Sequence, residues 1–460
     1  MTRERENRFG RREFLERSTG LIAGMALATP SYGAHQKASP GEKVILGQIG
    51  CGGRGSMVCQ SIAKLPNVEF AYVCDPEDAR ANALQAALEK DTGRKPVAVR
   101  EMRTLFDDKN VDAVVISTPE QWHALASIWA CQAGKDVYVE KNVTLGIWEG
   151  RKMIDAARKY NRILQVGTQN RSAPYNMAAR EYIQSGKLGK VQLVKVFNLQ
   201  GGSRWTPKPD TPSPAGLDWD LWLGPAPSRP YNAGHHRSWG DYWAYCGGTL
   251  SGDGSHQLDL ARMVLGDPGH PKAITFAGGR YLYDDHQEMP DTMVISYEFD
   301  NMVMTMENGN FTPYMDKIAM DIRESLTEYP YWPQCATRIE IYGTEGLMYL
   351  GRHGGGWQVF GKAKTQSRPA PLIAQGNGMF PDRDHQPNFL DCVRTRKRPT
   401  ADIEIAHPSA CLVHFGNIAY RTKHNRLVFD ASTETFVGDK ESNALLKPHY
   451  RKGYTVPESV

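Results

Sequence analysis

Long apolar runs are scarce in this sequence of 460 residues. The apolar stretch near its start, Leu21 to Ala28, is interrupted by Gly24 and falls far short of the ~20 apolar residues that a membrane-spanning helix needs. Hydrophobic residues make up 40% of the chain and charged residues 23%, values close to those of an average soluble globular protein. This composition argues against a multi-span membrane protein and against wholesale disorder.

The chain also lacks a strong excess of charge and any spacing of cysteines that would bind zinc. The formal net charge is only +4, and the single basic cluster, residues 394–398, is typical of a solvated helix end. We therefore expect no nucleic-acid partner. The eight cysteines form no C-x-x-C pair, so we predict that most of them are small buried apolar residues.

A pair of arginines precedes the apolar stretch near the N-terminus. The segment RREFL at residues 11–15 followed by Leu21 to Ala28 resembles a twin-arginine export signal, with residues 26–28 as one possible cleavage site. This predicts that residues 1–40 are a signal and linker, that the protein is periplasmic or otherwise exported, and that it keeps no stable membrane anchor after processing. The alternative is a basic tail that is not a signal.

From residue 43 onward, short Val- and Ile-rich runs alternate with amphipathic segments. This rhythm predicts parallel strands at 43–49, 68–74, 96–99, 111–117, 135–140 and 163–167, with helices between them. After about residue 170 the strands alternate in polarity and few helices separate them, as in an open antiparallel sheet. We predict an α/β fold with a doubly wound parallel sheet in residues 41–170 and a C-terminal α/β domain with an open, mainly antiparallel sheet in residues 171–460.

The stretch GQIGCGGRGS, residues 47–56, links the first predicted strand to the first predicted helix. Gly50, Gly52 and Gly55 match the pattern in which glycines let the backbone approach a pyrophosphate at a helix N-terminus. Asp75 ends the second predicted strand, twenty residues past Gly55, where a carboxylate binds the adenosine ribose. Because a carboxylate repels the additional phosphate of NADP, these residues predict a Rossmann domain that binds NAD.

Further motifs point to a family. STPEQWH (117–123), YVEKN (138–142) and VGTQNR (166–171) follow the fourth, fifth and sixth predicted strands, and GGTLSGDGSHQLDLARMVLG (247–266) lies in the second domain. In this order they resemble the glucose-fructose oxidoreductase and inositol dehydrogenase family, Gfo/Idh/MocA, over about residues 43 to 430. The resemblance implies a Rossmann domain, a C-terminal α/β domain whose open sheet makes oligomer contacts, a homodimer or homotetramer, and a sugar, cyclitol or related polyol as substrate.

The resemblance also assigns roles to individual residues. It implies that Lys141 is a cation that positions the substrate hydroxyl, that His256 is the acid/base, and that Glu140 orients the nicotinamide end of the cofactor. The predicted cofactor contacts are Gly50, Gly52, Gly53, Arg54, Gly55, Asp75, Thr118, Pro119, His123, Glu140, Lys141 and Gln169.

This chain departs from the family pattern at two positions. Asn142 stands where the family usually has the proline of an E-K-P motif, so the turn that carries Lys141 could differ. Gly252 stands where the family commonly has an aspartate four residues before the histidine. Asp253, three residues before His256, is the predicted substitute, because spacings of three and four share a helix face.

Aromatic residues crowd a long loop of the predicted C-terminal domain, residues 201–247. Five of the ten tryptophans fall between residues 201 and 247, and aromatic faces suit the C–H surfaces of sugar rings. The alternative is that they attach a long loop to the domain. We predict substrate contacts from Trp239, Tyr242, Tyr245, Arg171 and His256.

The sequence also raises a metal site and alternative functions. Asp253, His256 and Asp259 could bind a metal, but no second group of ligands has matching spacing, so no metal is predicted. Three functions fit the motifs: an exported NAD-dependent oxidoreductase with tightly held cofactor; a redox-neutral enzyme that oxidises a ring hydroxyl, eliminates an aglycone and reduces the ketone again; and a carbohydrate-binding protein with structural NAD.

Overall fold

The first half of the chain alternates strands and helices, as the sequence predicts. The computed structural model describes residues 43–365 and 368–460, so the predicted signal lies outside the described residues. The elements of this half are β1 (Val44–Ile49), α1 (Gly53–Ala63), β2 (Val68–Cys74), α2 (Asp78–Thr92), β3 (Val97–Val99), α3 (Arg103–Asp107), β4 (Ala113–Ile116), α4 (His123–Gln132), β5 (Asp136–Val139), α5 (Ile147–Lys159) and β6 (Leu164–Val166).

These strands form one parallel sheet in the order β3-β2-β1-β4-β5-β6. The order reverses between β1 and β4, and α/β proteins bind ligands in the crevice beyond the carboxyl ends of the strands at such a reversal. Every residue of β4 and β5 is buried, because both faces of a parallel sheet are covered by helices or loops. The predicted doubly wound Rossmann fold is confirmed.

The second half begins with α6 (Pro174–Gln184) and β7 (Val191–Leu199) and then forms a larger sheet. Its other elements are α7 (Trp219–Leu223), α8 (Ala233–Arg237), α9 (Ser255–Val264), β8 (Ala273–Gly279), β9 (Thr292–Glu298), β10 (Val303–Gly309), α10 (Met320–Arg323), β11 (Arg338–Gly343), β12 (Leu347–Gly351), β13 (Trp357–Phe360), β14 (Leu372–Gly376), α11 (Asp382–Thr395), α12 (Ile403–Thr422), β15 (Arg426–Asp430), β16 (Thr435–Phe436) and α13 (Lys440–Ala444).

The larger sheet has the order β14-β13-β12-β11-β7-β10-β9-β8-β15-β16. Its pairs are antiparallel except for β7 with β10, which run parallel. Buried and more exposed side chains alternate along β9, which is the pattern of a sheet with one face on the core and one face toward solvent. The predicted open, mainly antiparallel sheet is confirmed.

The C-terminal helices return to the first sheet. Phe389 and Leu390 of α11 pack in one Rossmann core cluster with Val115, and Ile403 and Ala410 of α12 pack in the other. Residues 44–460 form one compact unit. The domain boundary at residue 170 therefore stays a prediction, and the helices that follow the second sheet also complete the first core.

The cysteines and the lengths of the helices test two expectations drawn from composition. All eight cysteines are free and buried, so the prediction that they are small core residues is confirmed. Within residues 43–365 and 368–460, no helix combines the length and the apolar character needed to cross a bilayer.

Candidate active site

The glycine loop between β1 and α1 adopts a backbone that only glycine tolerates at two positions. Gly50 has φ +86°, and a Cβ atom there would lie 2.6 Å from the carbonyl oxygen of Ser117. A Cβ atom at Gly55 would lie 2.0 Å from the carbonyl oxygen of Gly50. These glycines let α1 pack tightly against the strand that precedes it.

Gly53 has the opposite surroundings. A Cβ atom there would meet no other atom within 4 Å, because the residue faces a cavity of about 580 Å³ that Gly50, Gly52 and Arg54 also line. Helix α1 begins here with no side-chain cap and no acidic residue in its first turn. Its free N–H groups and positive dipole end therefore lie beside the cavity, which suits a diphosphate.

Asp75 lines the same cavity, as predicted. One of its oxygens accepts the N–H of Cys51 at 2.8 Å and the other accepts the N–H of Glu77 at 2.9 Å. Burial is the largest influence on Asp75 and raises its pKa. The carboxyl group both fixes the glycine loop and borders the place where a ribose would bind.

Two arginines also border the cavity, but each is already paired. Arg80 lies 2.6 Å from Glu77, and Arg100 lies 2.6 Å from Asp78. The uncapped helix, the open space at Gly53 and the carboxyl group of Asp75 fit NAD. A nicotinamide cofactor would be held by the glycine loop, Asp75, Thr118 and Pro119, all of which line the cavity.

Glu140, at the end of β5, is the centre of a polar network. Arg54 donates to it at 3.0 Å, Tyr138 at 3.3 Å and Gln169 at 3.4 Å. Arg54 also bonds Asp382 at 3.0 Å. The structure thus brings the predicted residues Arg54, Glu140 and Gln169 together beside the glycine loop.

His123 does not face the cofactor cavity, so the prediction that it contacts the cofactor needs correction. Its ring is buried, with Nδ1 2.7 Å from the carbonyl oxygen of Asn142 and Nε2 2.9 Å from that of Thr118. Both ring nitrogens are engaged by backbone. His123 therefore holds the loop after β4 against the loop after β5, and it acts on the site through Thr118.

Lys141 follows Glu140 and reaches the second half of the chain. Its ammonium group donates to the carbonyl oxygen of Gly252, and the peptide bond between Lys141 and Asn142 is cis. Gly252 belongs to a π-helical turn, Leu250–Gly254, that leads into α9. The contact places the ammonium group beside the start of the helix that carries His256.

His256 lies in the first turn of α9 and is 4% exposed. Its ring packs against the ring of His353, with centroids 4.4 Å apart and an interplanar angle of 72°. Its Nδ1 has no hydrogen-bond partner among the described residues. Burial, followed by the nearby His353, Arg352 and Lys141, lowers the pKa of His256 well below its usual value, so the imidazole is neutral at neutral pH.

The structure contradicts the predicted relay from Asp253 to His256. The carboxylate of Asp253 instead lies 2.5 Å from Lys317 and 2.8 Å from Arg352, and it accepts from Gln200 at 3.0 Å. The wider π-helical turn makes the spacing rule for a regular helix inapplicable here. Burial alone would raise the pKa of Asp253, but Arg352, Lys317 and Lys141 lower it well below its usual range.

The loop GRHGGG, residues 351–356, brings Arg352 and His353 to this site, and the sequence reasoning missed it. His353 has φ +55°, and Gly354, Gly355 and Gly356 also have positive φ. The N–H of His353 donates to Asn170 at 3.1 Å, and the N–H of Gly354 donates to the hydroxyl of Tyr175 at 2.8 Å. An arginine and a histidine amid four glycines were the available signal.

Arg171 is not placed to contact a substrate. Its guanidinium group forms ion pairs with Asp259 at 2.7 Å and Asp267 at 2.9 Å, and its side chain is 2% exposed. The prediction for Arg171 is therefore wrong, because these two carboxylates occupy its guanidinium group. The same contact accounts for Asp259, which was one of the three residues considered as metal ligands.

Two of the three predicted aromatic substrate contacts lie away from the site. Tyr242 stacks on His235 with centroids 3.6 Å apart, and Tyr245 is fully buried 5.0 Å from Trp222. Trp239 lines the same cavity as the glycine loop. The tyrosines form a closed cluster that fixes the long loop and do not fit the predicted role. Trp239 borders the cavity, so its contact with a substrate stays a prediction.

One group of side chains could hold a metal in the described part of the chain. The ligand atoms of His270, His407 and Cys411 lie within 4.8 Å of one another. Glu434 lies 3.0 Å from His407 and 3.5 Å from His270, and it also pairs with Arg151. This ion-pair network explains the proximity of the histidines without a metal.

Two family models match the chain. One is described as the NAD-binding Rossmann fold of an oxidoreductase family, Gfo/Idh/MocA, and matches residues 45–168. The other is described as the C-terminal alpha/beta domain of that oxidoreductase family and matches residues 178–303 and 356–456.

Individual relatives agree with these matches. A scyllo-inositol 2-dehydrogenase (NAD(+)) of Bacillus subtilis is 25% identical over 357 residues, which cover 74% of this chain and 82% of the relative. A glycosyl hydrolase family 109 protein of Shewanella baltica is 28% identical over 392 residues, which cover 74% of this chain and 84% of the relative. The structure of a levoglucosan dehydrogenase with NADH and levoglucosan is 18% identical, covers 86% of this chain and 100% of its own, and has a TM-score of 0.60.

Proposed function

The chain belongs to the Gfo/Idh/MocA oxidoreductase family, and from this membership we propose that it is an exported enzyme that oxidises a hydroxyl of a sugar, glycoside or cyclitol with tightly held NAD. The observation that carries the proposal is the meeting of Lys141 and the neutral His256 at the edge of the sheet that binds NAD. The names of the inositol and levoglucosan dehydrogenases support a small carbohydrate or polyol as substrate.

The two side chains divide the work of alcohol oxidation. When NAD is bound, its nicotinamide supplies the hydride acceptor. The ammonium group of Lys141 orients the substrate hydroxyl and stabilises negative charge as it develops on the oxygen. His256 accepts the hydroxyl proton, and its neutral state at pH 7 makes a ring nitrogen available for this transfer.

Export favours a cofactor that is held through many turnovers, because the far side of the inner membrane supplies little free NAD. A cofactor reduced once must then be reoxidised on the same protein, by a second substrate or by the product. The second candidate function, a redox-neutral enzyme that cleaves glycosides, meets this requirement. In a redox-neutral enzyme, transient oxidation acidifies the neighbouring C–H, the aglycone leaves, and the ketone is reduced again. The similarity to a glycosyl hydrolase family 109 protein over 74% of this chain supports this redox-neutral candidate.

One experiment separates these functions. The protein is purified with its bound nucleotide, the nucleotide is identified, and aryl glycosides, free sugars and cyclitols are supplied while NADH absorbance and released aglycone are followed. Net formation of NADH is the expected result for the oxidoreductase, and aglycone release without net NADH would support the redox-neutral enzyme. A sugar that binds without either signal would leave only a carbohydrate-binding protein and would overturn the catalytic proposal.

The same purification tests export. We expect the mature protein in the periplasmic fraction of a bacterium that has the twin-arginine route, shortened near residues 26–28. A full-length protein that stays in the cytosol would overturn the proposal of export.

We also propose that the protein is a homodimer or homotetramer that assembles through the outer face of the larger sheet. Val294, Val303 and Val428 lie on its strands and are 45%, 37% and 47% exposed, and burial of exposed apolar side chains favours association. Light scattering after gel filtration should give two or four times the chain mass. Val294→Lys should shift that mass toward the monomer, and a monomeric parent protein would overturn this proposal.

A further inference from the structure

Four side-chain cations from separate parts of the chain converge on one carboxylate near His256. Lys317 and Arg352 lie 2.5 Å and 2.8 Å from Asp253. Lys141 donates to the neighbouring carbonyl of Gly252, and Arg323 is close enough to Asp253 for the two charges to interact. A carboxylate with a single negative charge leaves this group of cations, the Asp253 cluster, with a positive excess.

Other carboxylates offset the excess only in part. Glu120 is buried close enough to Lys141 for their charges to interact, which leaves three cations against Asp253. On the cofactor side, Glu140 and Asp382 are both paired with Arg54, at 3.0 Å each. Burial removes much of the screening that water would supply, since the side chain of Arg352 is only 8% exposed. Like charges held this close in a partly buried site are unfavourable unless an anion joins them.

Unsatisfied hydrogen-bonding groups in the cluster also indicate that an anion binds there. Arg352 Nε, Arg323 Nε, His353 Nε2 and His256 Nδ1 are buried and have no partner among residues 43–365 and 368–460. Buried polar groups in folded proteins nearly always have partners, and each exception calls for an explanation. Two guanidinium groups beside two imidazoles would be satisfied by an acceptor with several oxygens.

The shape of the loop shows how the chain builds this arrangement. A Cβ atom at Gly354 would lie 2.6 Å from the carbonyl oxygen of Arg323 and 3.0 Å from its Cβ, so the glycine lets the loop pack directly on the end of α10. The contact brings Arg323 and Arg352 to one side of Asp253. Lys317, which is 43% exposed, lies at the solvent side of the cluster.

We propose that the Asp253 cluster binds a carboxylate or phosphate group of the substrate, so that this enzyme acts on an anionic sugar, such as a uronic acid or a sugar phosphate. The proposal rests on the proposed function, because it assigns the substrate class of the site formed by Lys141 and His256. Arg352 and Arg323 bind the anion by their planar N–H groups, and Lys317 attracts it from solvent. Asp253 keeps the cations in place when no anion is bound.

Calorimetric titration of the NAD-loaded protein with matched sugars at constant ionic strength tests this. The pairs are glucuronate with glucuronamide and glucose 6-phosphate with glucose, so that each pair differs in charge and the two pairs separate a carboxylate from a phosphate. We expect at least one anion to bind about tenfold or more tightly than its uncharged partner, as for hydrogen bonds to charged groups. Equal affinities within both pairs, or no binding of any of the four, would overturn the proposal.

Substitutions in the Asp253 cluster test whether the preference for an anionic sugar arises there. Arg352→Gln should reduce the preference for the anion about tenfold, and Lys317→Gln, at a more exposed position that does not endanger folding, should reduce it less. Arg426→Gln is the control, since Arg426 lies on β15 and pairs with Glu298. If Lys317→Gln and a folded Arg352→Gln both keep the full preference, the cluster is not the anion site.

These titrations measure binding and do not depend on turnover. An anionic sugar that binds through the cluster but yields neither NADH nor aglycone would leave the site assignment standing and overturn the proposed function. Oxidation of neutral sugars without a preference for anions would support the proposed function and overturn the anion site.

Discussion

Replacing Lys141 with alanine should lower the rate of hydride transfer to bound NAD by about a thousandfold, the scale of losing one group that stabilises charge in a transition state. The ammonium group is held at the carbonyl of Gly252, beside the helix that carries His256. Without it, the developing alkoxide would lose the adjacent cation that the loop after β5 supplies. The measurement is a single-turnover experiment that follows NADH absorbance with the substrate found in the sugar panel.

The chain supplies a matched control at the opposite end of the same strand. Lys135 precedes β5, is 4% exposed, and donates to the carbonyl of Asp108 at 2.6 Å. Lys135→Ala therefore also removes an ammonium group bonded to a backbone carbonyl, but far from the crevice. We expect it to reduce stability and leave hydride transfer within a fewfold of the parent rate. Full activity in Lys141→Ala would remove Lys141 from the chemistry.

The cofactor half of the site could be predicted because its determinants are local. Gly50 needs a positive φ and Gly55 needs contact with the preceding loop, and both constraints act within a few residues. Asp75 ends a strand whose place beside β1 follows from the βαβ rhythm. A motif that specifies its own backbone can be read from sequence without knowledge of the rest of the fold.

The substrate half was harder, because its members meet only through tertiary packing. Arg352 follows Asp253 by about a hundred residues, and no local period connects them. The assumed helical spacing failed at Asp253 because the turn is π-helical. Arg171 belongs to a motif beside the cofactor site, yet its ion pair with Asp259 turns it into the core.

The strands at and next to the edges of the larger sheet carry weak signals in the sequence. β13 has four residues and β16 has two, and the side chains of β14 are mostly exposed on both faces. β13 alternates in burial over only four residues, and β14 and β16 show no clear alternation, so the pattern is too short or too weak to identify a half-buried strand from sequence. Their pairing is determined by the neighbouring strands, and β13 carries the end of the loop that places Arg352 and His353.

Replacing Gly53 with leucine should weaken NAD binding about a hundredfold or more while the fold survives, because the side chain would occupy the cavity where backbone must approach the diphosphate. A Cβ atom at Gly53 meets no protein atom within 4 Å, so the loss would come from exclusion of the cofactor and not from a clash within the chain. The measurements are the nucleotide content of the purified variant, the affinity for NADH from fluorescence, and the Tm of the nucleotide-free protein.

Gly269→Leu is the control for this change. Gly269 is exposed, also has open space at its Cβ position, and lies in the loop between α9 and β8, away from the cofactor cavity. Both variants add the same side chain to an open glycine site, so a general effect of exposed leucine would appear in each. NAD affinity lost only in Gly53→Leu, with equal Tm values for the nucleotide-free proteins, would show that the diphosphate binds against this residue. If Gly53→Leu retained the parent affinity, the cofactor would have to lie away from the start of α1, and the roles of Lys141 and His256, which depend on where the nicotinamide ends, would lose their basis.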